Sequence, residues 1–247
     1  MAQARSSSVL SERLGNVLLI TINRPEVKNA LNVEVLEKLK NLWDDFDDDK
    51  ELKVAVLTGA GGDAFSSGAD LKEIAGGKGR KRPPGIHRGM NVGKPVIAAV
   101  NGIAFGGGFE TALACDIRVA ARNATFAMRE VRLGFMPGGG GTVRLARTAH
   151  PGRALYLLLT GKEIGAEEAH RAGIVDFISD EGKAVDEALK LAREIAQNET
   201  TSLISIKESF YHSFDNTLMD ALQYESQRSR ALAESAAFRK KVEKYKK

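Results

Sequence analysis

The chain has 247 residues, 43% of them apolar, and its 36 Lys or Arg against 32 Asp or Glu give a net charge of +4. This length and composition predict one large α/β domain, or a domain with a small appendage, with a sizeable buried core. No apolar stretch approaches the roughly 20 residues of a membrane-spanning helix, and residues 1–8 lack the apolar centre of a secretory signal, so we expect a soluble cytoplasmic protein.

The first part of the chain predicts a hairpin, a helix and a strand. Two β-rich segments, Val9–Leu14 and Val17–Ile22, flank a glycine-containing turn. Apolar residues at helical spacing then predict a helix over 33–46, with Asn32 as its N-cap. Residues 54–57 are continuously apolar, which predicts a strand that is buried on both faces.

A second buried strand is predicted at Val96–Val100, followed by a glycine turn and a helix to about residue 114. The same reasoning predicts strands at 117–121, 125–128 and 175–178, and helices after Gly141 and at 153–159, 166–172 and 185–196. From residue 202 the chain is almost entirely helix-forming. We therefore predict a core over 1–200 and a helical section over 201–247, which either contacts another subunit or packs on its own domain.

The glycines Gly106, Gly107 and Gly108 are followed by Glu110, and Glu130 lies twenty positions further on. Glycines that open a helix leave backbone N–H groups without partners inside the helix, so a developing oxyanion can bind there. Two carboxylates beside such a pocket could transfer protons.

Other patterns carry weaker predictions. Residues 59–64 match the dinucleotide pattern G-x-G-x-x-A, but the sequence after them is extended rather than helical, which argues against a dehydrogenase. The four histidines are scattered and Cys115 has no partner, so neither a metal site nor an internal disulfide is expected.

Basic residues cluster in two places. One cluster lies at 78–82 in a stretch that predicts a mobile loop, and the other spans 228–247. Each is either a solvated surface or an attraction site for phosphates.

Six motifs occur in an order and spacing that resemble the enoyl-CoA hydratase/isomerase (crotonase) family. They are Asn23-Arg24-Pro25, Asn29-Ala30-Leu31, and the segments 65–72, 94–102, 106–110 and 134–137. The resemblance implies a spiral of ββα units and a helical C-terminal section that forms trimers, often paired into hexamers. It also implies acyl-CoA thioester substrates, with coenzyme A as part of the substrate and no separate cofactor or metal.

The resemblance also implies roles for four residues. The amides of Ala69 and Gly107 would bind the thioester carbonyl oxygen. Glu110 would activate a water for attack at C3, and Glu130 would supply a proton to C2. The alternatives are that Glu110 only favours the positive end of its helix, and that Glu130 is a surface partner of Arg129 or Arg132.

Further residues match the coenzyme A site of the family. Ala69, Asp70, Leu71 and Lys72 match the segment that lines the adenine and pantetheine, and Ala30 matches a wall of that pocket. Phe238 and Lys241 match an element that reaches a neighbouring subunit's coenzyme A; the alternative for them is a solvated basic helix end.

Arg129 departs from the family pattern, because many hydratases have proline before the second glutamate. Phe109-Glu110 is similar to the carnitinyl-CoA dehydratase branch. We therefore predict an enoyl-CoA hydratase, with carnitinyl-CoA dehydratase or Δ3,Δ2-enoyl-CoA isomerase as alternatives. A non-catalytic nucleic-acid-binding relative is disfavoured, because the basic tail offers only two aromatic residues, Phe238 and Tyr245, on which bases could stack.

Overall fold

Two sheets organise the molecule, for which a computed structural model describes residues 7–77 and 83–243. Within these residues six strands form the larger sheet, in the order β1-β2-β3-β5-β7-β10, and four form the smaller sheet, in the order β4-β6-β8-β9. The strands are β1 Val9–Leu14, β2 Val17–Ile22, β3 Val54–Gly59, β4 Ala64–Ser66, β5 Val96–Val100, β6 Ile103–Phe105, β7 Ile117–Ala121, β8 Thr125–Ala127, β9 Ile164–Gly165 and β10 Phe177–Ser179.

The pairing is mostly parallel. Strands β1 and β2 form the predicted antiparallel hairpin, and β2, β3, β5, β7 and β10 follow in parallel. In the smaller sheet β4, β6 and β8 are parallel, whereas β9 is antiparallel to β8.

Ten helices cover the sheets or follow them in the described residues. They are α1 Val33–Asp48, α2 Leu71–Ala75, α3 Gly107–Ala114, α4 Gly141–Thr148, α5 Pro151–Thr160, α6 Ala166–Arg171, α7 Ala184–Ile195, α8 Thr200–Asp215, α9 Leu218–Ala233 and α10 Ala236–Val242. The Asn32 side chain accepts a hydrogen bond from the amide of Val35, as an N-cap does, which confirms the predicted start of α1.

The strands β3 and β5 are buried along their whole length, as their apolar runs predict. Alternate residues belong to two cores. Ala55 and Leu57 join the core that contains the buried face of α1, whereas Val54 and Val56 pack with the alanines of α7. Because both faces of the sheet are covered by helices, neither face needs polar residues.

A repeated ββα unit generates the spiral. In each repeat one strand joins the larger sheet, the next joins the smaller sheet, and a helix follows, as in β3-β4-α2 and β5-β6-α3. The fold class predicted from the family resemblance is therefore confirmed. Across residues 7–77 and 83–243, no helix has both the length and the apolar character needed to cross a bilayer.

The structure corrects two details of the sequence prediction. The strand predicted at 175–178 occurs at Phe177–Ser179, because Ile174 and Val175 fill the core from a loop. Of the smaller sheet, the sequence predicts β8 alone, as the strand at 125–128; β4, β6, β9 and α2 are not among the predicted elements. Ala64 begins a strand and not a helix, which excludes the dinucleotide-binding interpretation of residues 59–64.

The C-terminal section, α8 to α10, contacts the core through α8. Lys207 on α8 forms an ion pair with Asp116 at 2.8 Å, and the Tyr211 hydroxyl donates to the same carboxylate at 2.9 Å. The predicted division after residue 200 coincides with the start of α8 and stays a prediction. The basic cluster predicted as a mobile loop at 78–82, and Tyr245 in the tail, lie outside the described residues.

Candidate active site

The glycine turn between β6 and α3 forms the centre of the candidate site. Gly106 adopts φ 48° and ψ −121°, a backbone conformation that favours glycine, and its amide donates to the carbonyl of Ala127 at 2.9 Å. A Cβ at this position would lie 2.9 Å from Glu130 Oε1. The turn therefore brings the Glu130 carboxylate against the start of α3.

Two backbone amides meet at this turn. Ala69 pairs with Leu31 in a parallel bridge whose hydrogen bonds involve Gly68 and Asp70, so the Ala69 N–H points away from Leu31. Gly107 is the first residue of α3, where an amide has no acceptor inside the helix. A Cβ on Gly107 would lie 3.5 Å from the Ala69 nitrogen.

Within the described part of the chain, neither of these amides donates to a protein acceptor. Two donors that lie side by side without partners can bind one carbonyl oxygen or oxyanion.

Glu110 lies in the first turn of α3 and is only 4% exposed. Its Oε1 accepts hydrogen bonds from the amides of Gly139 at 2.6 Å and Gly141 at 3.0 Å. Both amides belong to the glycine run that leads into α4. Glu110 therefore does more than favour the start of its own helix, because a second loop orients its carboxylate.

Glu130 begins a short 3-10 helix, Glu130–Leu133, and its side chain is half-buried. Its Oε2 is buried and has no hydrogen-bond partner within the described residues. Burial raises the pKa of Glu130; its own backbone amide opposes this shift, and the negative charge of Glu110 adds to it. The two carboxylates therefore lie within electrostatic reach of each other.

The neighbouring arginines do not pair with Glu130. Arg129 binds Glu163 at 2.7 Å and stacks over the Phe105 ring, with its guanidinium carbon 3.9 Å from the ring centroid. Arg132 donates to the carbonyl of Thr160 at 3.3 Å. The alternative in which Glu130 is a surface ion-pair partner is wrong, and the departure at position 129 leaves the Glu130 side chain facing the site.

The candidate coenzyme A segment lies directly after Ala69. Asp70 caps α2 and accepts a hydrogen bond from Arg24 at 3.0 Å, and Arg24 also donates to the carbonyl of Ala30 at 2.7 Å. Although burial acts to raise the pKa of Asp70, hydrogen bonds from Arg24 and from the backbone amide of Glu73 hold this pKa below its ordinary value. Ala30, Ala69 and Asp70 are thus tied together, and the side chains of Leu71 and Lys72 are exposed beside them.

The two residues predicted to reach a neighbouring subunit lie on α10. Phe238 is 48% exposed, and Lys241 forms an ion pair with Glu199 at 3.2 Å. Their predicted role requires a second subunit, so it stays a prediction.

A second cleft, of about 940 Å³, lies between the core and the helices α8 and α9. Its lining includes Asp116, Lys207 and Tyr211, but not Glu110 or Glu130. Asp116 binds both Lys207 and Tyr211, so these charged and polar groups pair within the cleft.

The family model for enoyl-CoA hydratase/isomerase matches residues 12–247. The chain belongs to this family. Carnitinyl-CoA dehydratase from Escherichia coli K12 is 39% identical to it over 225 residues, which are 89% of this chain and 86% of the relative. Short-chain-enoyl-CoA hydratase from Clostridium acetobutylicum is 38% identical over 228 residues, covering 90% and 87%.

Solved structures of the family superpose on the whole fold. A probable enoyl-CoA hydratase/isomerase from Mycobacterium abscessus has a TM-score of 0.91 at 35% identity, covering 97% of this chain and 95% of that chain. Enoyl-CoA hydratase from Mycobacterium tuberculosis has a TM-score of 0.88 at 37% identity, covering 94% and 92%. The predictions of the family and of an enzyme of the enoyl-CoA hydratase class are confirmed.

Sequence reasoning missed the residues around the second glycine run, whose amides bind the Glu110 carboxylate. The sequence predicts Gly139 and Gly141 only as the approach to a helix, gives Arg144 no separate role, and has His87 as one of four scattered histidines. The signal that could have found them is the second glycine run, because glycines that open a helix again present free amides.

Among the described residues, no cluster of three or more His, Cys, Asp or Glu is arranged to hold a metal ion. Cys115 is buried, which raises the pKa of its thiol to about 12, and the negative charge of Asp116 adds to this shift. Such a thiol is a packing residue rather than a nucleophile.

Proposed function

We propose that this protein is an enoyl-CoA hydratase, which adds water reversibly to a trans-2-enoyl-CoA thioester. One observation carries the proposal. The turn between β6 and α3 brings the Gly107 amide beside the amide of Ala69, which follows β4. The same turn contacts Glu130, whose pKa is raised and which lies within electrostatic reach of the hydrogen-bonded carboxylate of Glu110. Two carboxyl groups whose environments differ in this way are suited to opposite proton-transfer roles.

The amides of Ala69 and Gly107 bind the thioester carbonyl oxygen in this proposal. This oxygen gains negative charge when a nucleophile adds to C3, because the electrons of the double bond move toward the carbonyl. Donors placed where the charge develops lower the barrier, and removal of one such donor typically costs about 2.7–4 kcal/mol.

Glu110 takes a proton from the water that attacks C3, and Glu130 delivers a proton to C2. A C3–O bond and a C2–H bond form, and the C2–C3 double bond becomes a single bond. The raised pKa of Glu130 favours the protonated form that a donor needs. Glu110, whose Oε1 accepts two backbone hydrogen bonds, is held in place as the base.

The acyl-CoA itself would lie along Ala30, Ala69, Asp70, Leu71 and Lys72. Phe238 and Lys241 of a neighbouring subunit would complete its site in a homotrimer or a dimer of trimers. Lysine suits a phosphate as a mobile point charge. No separate cofactor enters this mechanism, since coenzyme A is part of the substrate, and we infer a cytoplasmic location.

Carnitinyl-CoA dehydratase is the second candidate. The E. coli relative with this name is 39% identical over most of both chains. The same pair of carboxyl groups would serve dehydration, which is hydration in reverse. A Δ3,Δ2-enoyl-CoA isomerase is less well supported, because such a proton shift can proceed with one base and the site holds two carboxylates.

The test follows the loss of the enone absorbance of crotonyl-CoA. We expect Glu110→Gln and Glu130→Gln each to lower kcat by about 10²–10⁴-fold, the usual contribution of positioned proton transfer. Glu167→Gln is the matched control, because Glu167 is an exposed glutamate that pairs with Arg122 on the surface. A screen of short, medium and long enoyl-CoAs, plus crotonobetainyl-CoA, identifies the acyl group.

Absence of turnover with every one of these substrates would contradict the proposal. An inactive protein that binds RNA in a salt-sensitive way would instead favour the nucleic-acid-binding alternative.

A further inference from the structure

Arg144 on α4 connects the second glycine run to the short 3-10 helix Ile86–Arg88. Its Nη1 donates to the carbonyls of His87 and Gly139, at 2.9 Å each, and its Nη2 donates to the carbonyl of Ile86 at 3.2 Å. The three bonds come from two nitrogens of one planar guanidinium, an arrangement that the single nitrogen of a lysine does not reproduce.

Gly139 links these contacts of Arg144 to the Glu110 carboxylate. The carbonyl of Gly139 accepts from Arg144, and the amide of the same residue donates to Glu110 Oε1 at 2.6 Å. Gly140, between the two amide donors, adopts φ 95°. A segment of consecutive glycines has high conformational entropy when it is not held, so its geometry depends on such contacts.

We propose that Arg144 is a positioning residue for the hydration step, because its hydrogen bonds to the carbonyls of Ile86, His87 and Gly139 hold the glycine loop whose amides orient the Glu110 carboxylate. The inference rests on the proposed function. Arg144 transfers no proton in it. Loss of the guanidinium lets the loop move, and the general base then samples unproductive orientations.

The experiment compares Arg144→Met and Arg144→Lys with the wild type in crotonyl-CoA hydration. Displacement of a reacting group by about 1 Å can cost about 10²-fold, so we expect a fall in kcat of this size for Arg144→Met. For Arg144→Lys, which keeps the charge but loses the fork, we expect a fall of about 10-fold. We expect KM to change by less than about 3-fold in both variants, because Arg144 makes none of the coenzyme A contacts proposed above.

Hydrogen exchange at the amides of Gly139 and Gly141 gives a readout that does not need activity. We expect faster exchange in both variants than in the wild type. Arg147→Met is the matched control, because Arg147 lies one turn further along α4, half-exposed, with Asp215 at 3.7 Å. This variant should keep the wild-type kcat and exchange rates.

The outcomes separate this inference from the proposed function. An inactive wild type refutes the proposed function, and unchanged exchange at Gly139 and Gly141 refutes the loop contact independently. An active wild type with folded Arg144 variants of unchanged kcat overturns the positioning role. A lower kcat with unchanged exchange at both glycine amides also overturns it. Because Arg144→Met removes a donor from three carbonyls and could unfold, Arg144→Lys decides if it does.

Discussion

Glu130 carries a buried carboxylate oxygen without a hydrogen-bond partner in the described residues, next to a second carboxylate. Burial disfavours the ionised form of such a group, because the charge loses hydration there. Burial, together with the negative charge of Glu110, raises the pKa of Glu130 above the ordinary glutamate value of 4.5, although its own backbone amide opposes the shift. Ionisation of Glu130 therefore costs stability of the folded state.

The stability of Glu130→Gln tests this cost. A raised pKa means that the folded state binds more protons than the unfolded state, so the free energy of unfolding of the wild type falls as pH rises from the ordinary to the raised pKa. Glutamine does not ionise and avoids this loss. We expect Glu130→Gln to have a higher Tm than the wild type at about pH 8, and the difference to shrink at about pH 4, near the ordinary pKa of glutamate.

Thermal melts of both proteins at the two pH values provide the measurement. Glu167→Gln, on the exposed surface, should show no such pH-dependent difference. A Tm of Glu130→Gln below that of the wild type at the higher pH would refute the buried-acid explanation.

At the scale of elements, the buried side chain of Asn29 connects the loop before β4, and the first residue of that strand, to the segment that contains Arg24. Asn29 is fully buried at φ 54°, a left-handed conformation that asparagine tolerates. Its side chain accepts from the amide of Arg24 and donates to the carbonyls of Ala60 and Ala64. Three chain segments therefore meet at one amide group, next to the strand that leads to Ala69.

Asn29→Ala removes the side-chain partner of three backbone groups, of which the Ala64 carbonyl keeps a contact from the Asn101 side chain at 3.4 Å. It also keeps a left-handed backbone that alanine disfavours. We expect it to lower the free energy of unfolding by about 2–4 kcal/mol. Urea denaturation measures this change, with Asn198→Ala as control, because the exposed Asn198 side chain contacts only the nearby carbonyl of Ile195 among the described residues. Equal denaturation midpoints for both variants would show that the Asn29 contacts contribute little.

The longer elements could be predicted from the sequence, whereas most of the shortest ones could not. The hairpin β1-β2, the capped helix α1 and the buried strand β5 follow from period, cap and burial pattern within each segment. The strands β4, β6 and β9 have only two or three residues, too few to show a periodicity. They form because neighbouring strands bring their backbones together.

At the scale of the whole molecule, the C-terminal section leaves large apolar side chains in water. Leu218 is 75% exposed and Met219 74%, and Phe210 and Phe214 on α8 are also exposed. A large exposed apolar surface is typical of subunit contacts. This exposure supports the predicted homotrimer or dimer of trimers.

Light scattering coupled to size-exclusion chromatography tests the oligomer. We expect the mass of three or six chains for the wild type, and smaller species for Leu218→Glu, because a charge in a buried contact is costly. Lys190→Glu, on an exposed face of α7, is the control for the added negative charge. A monomeric wild type would refute the predicted assembly and, with it, the role of Phe238 and Lys241 at a neighbouring subunit.

The order and spacing of the six motifs predicted the family, the fold class and the candidate glutamates from the sequence alone. Residue type and spacing are properties of the sequence and need no structure. The tertiary structure decided how the candidates are held. Only the folded chain brings the amides of Gly139 and Gly141 to Glu110, turns Arg129 toward Glu163, and buries Glu130 Oε2. Hydrogen bonds and burial depend on distances between segments far apart in sequence, which no local pattern encodes.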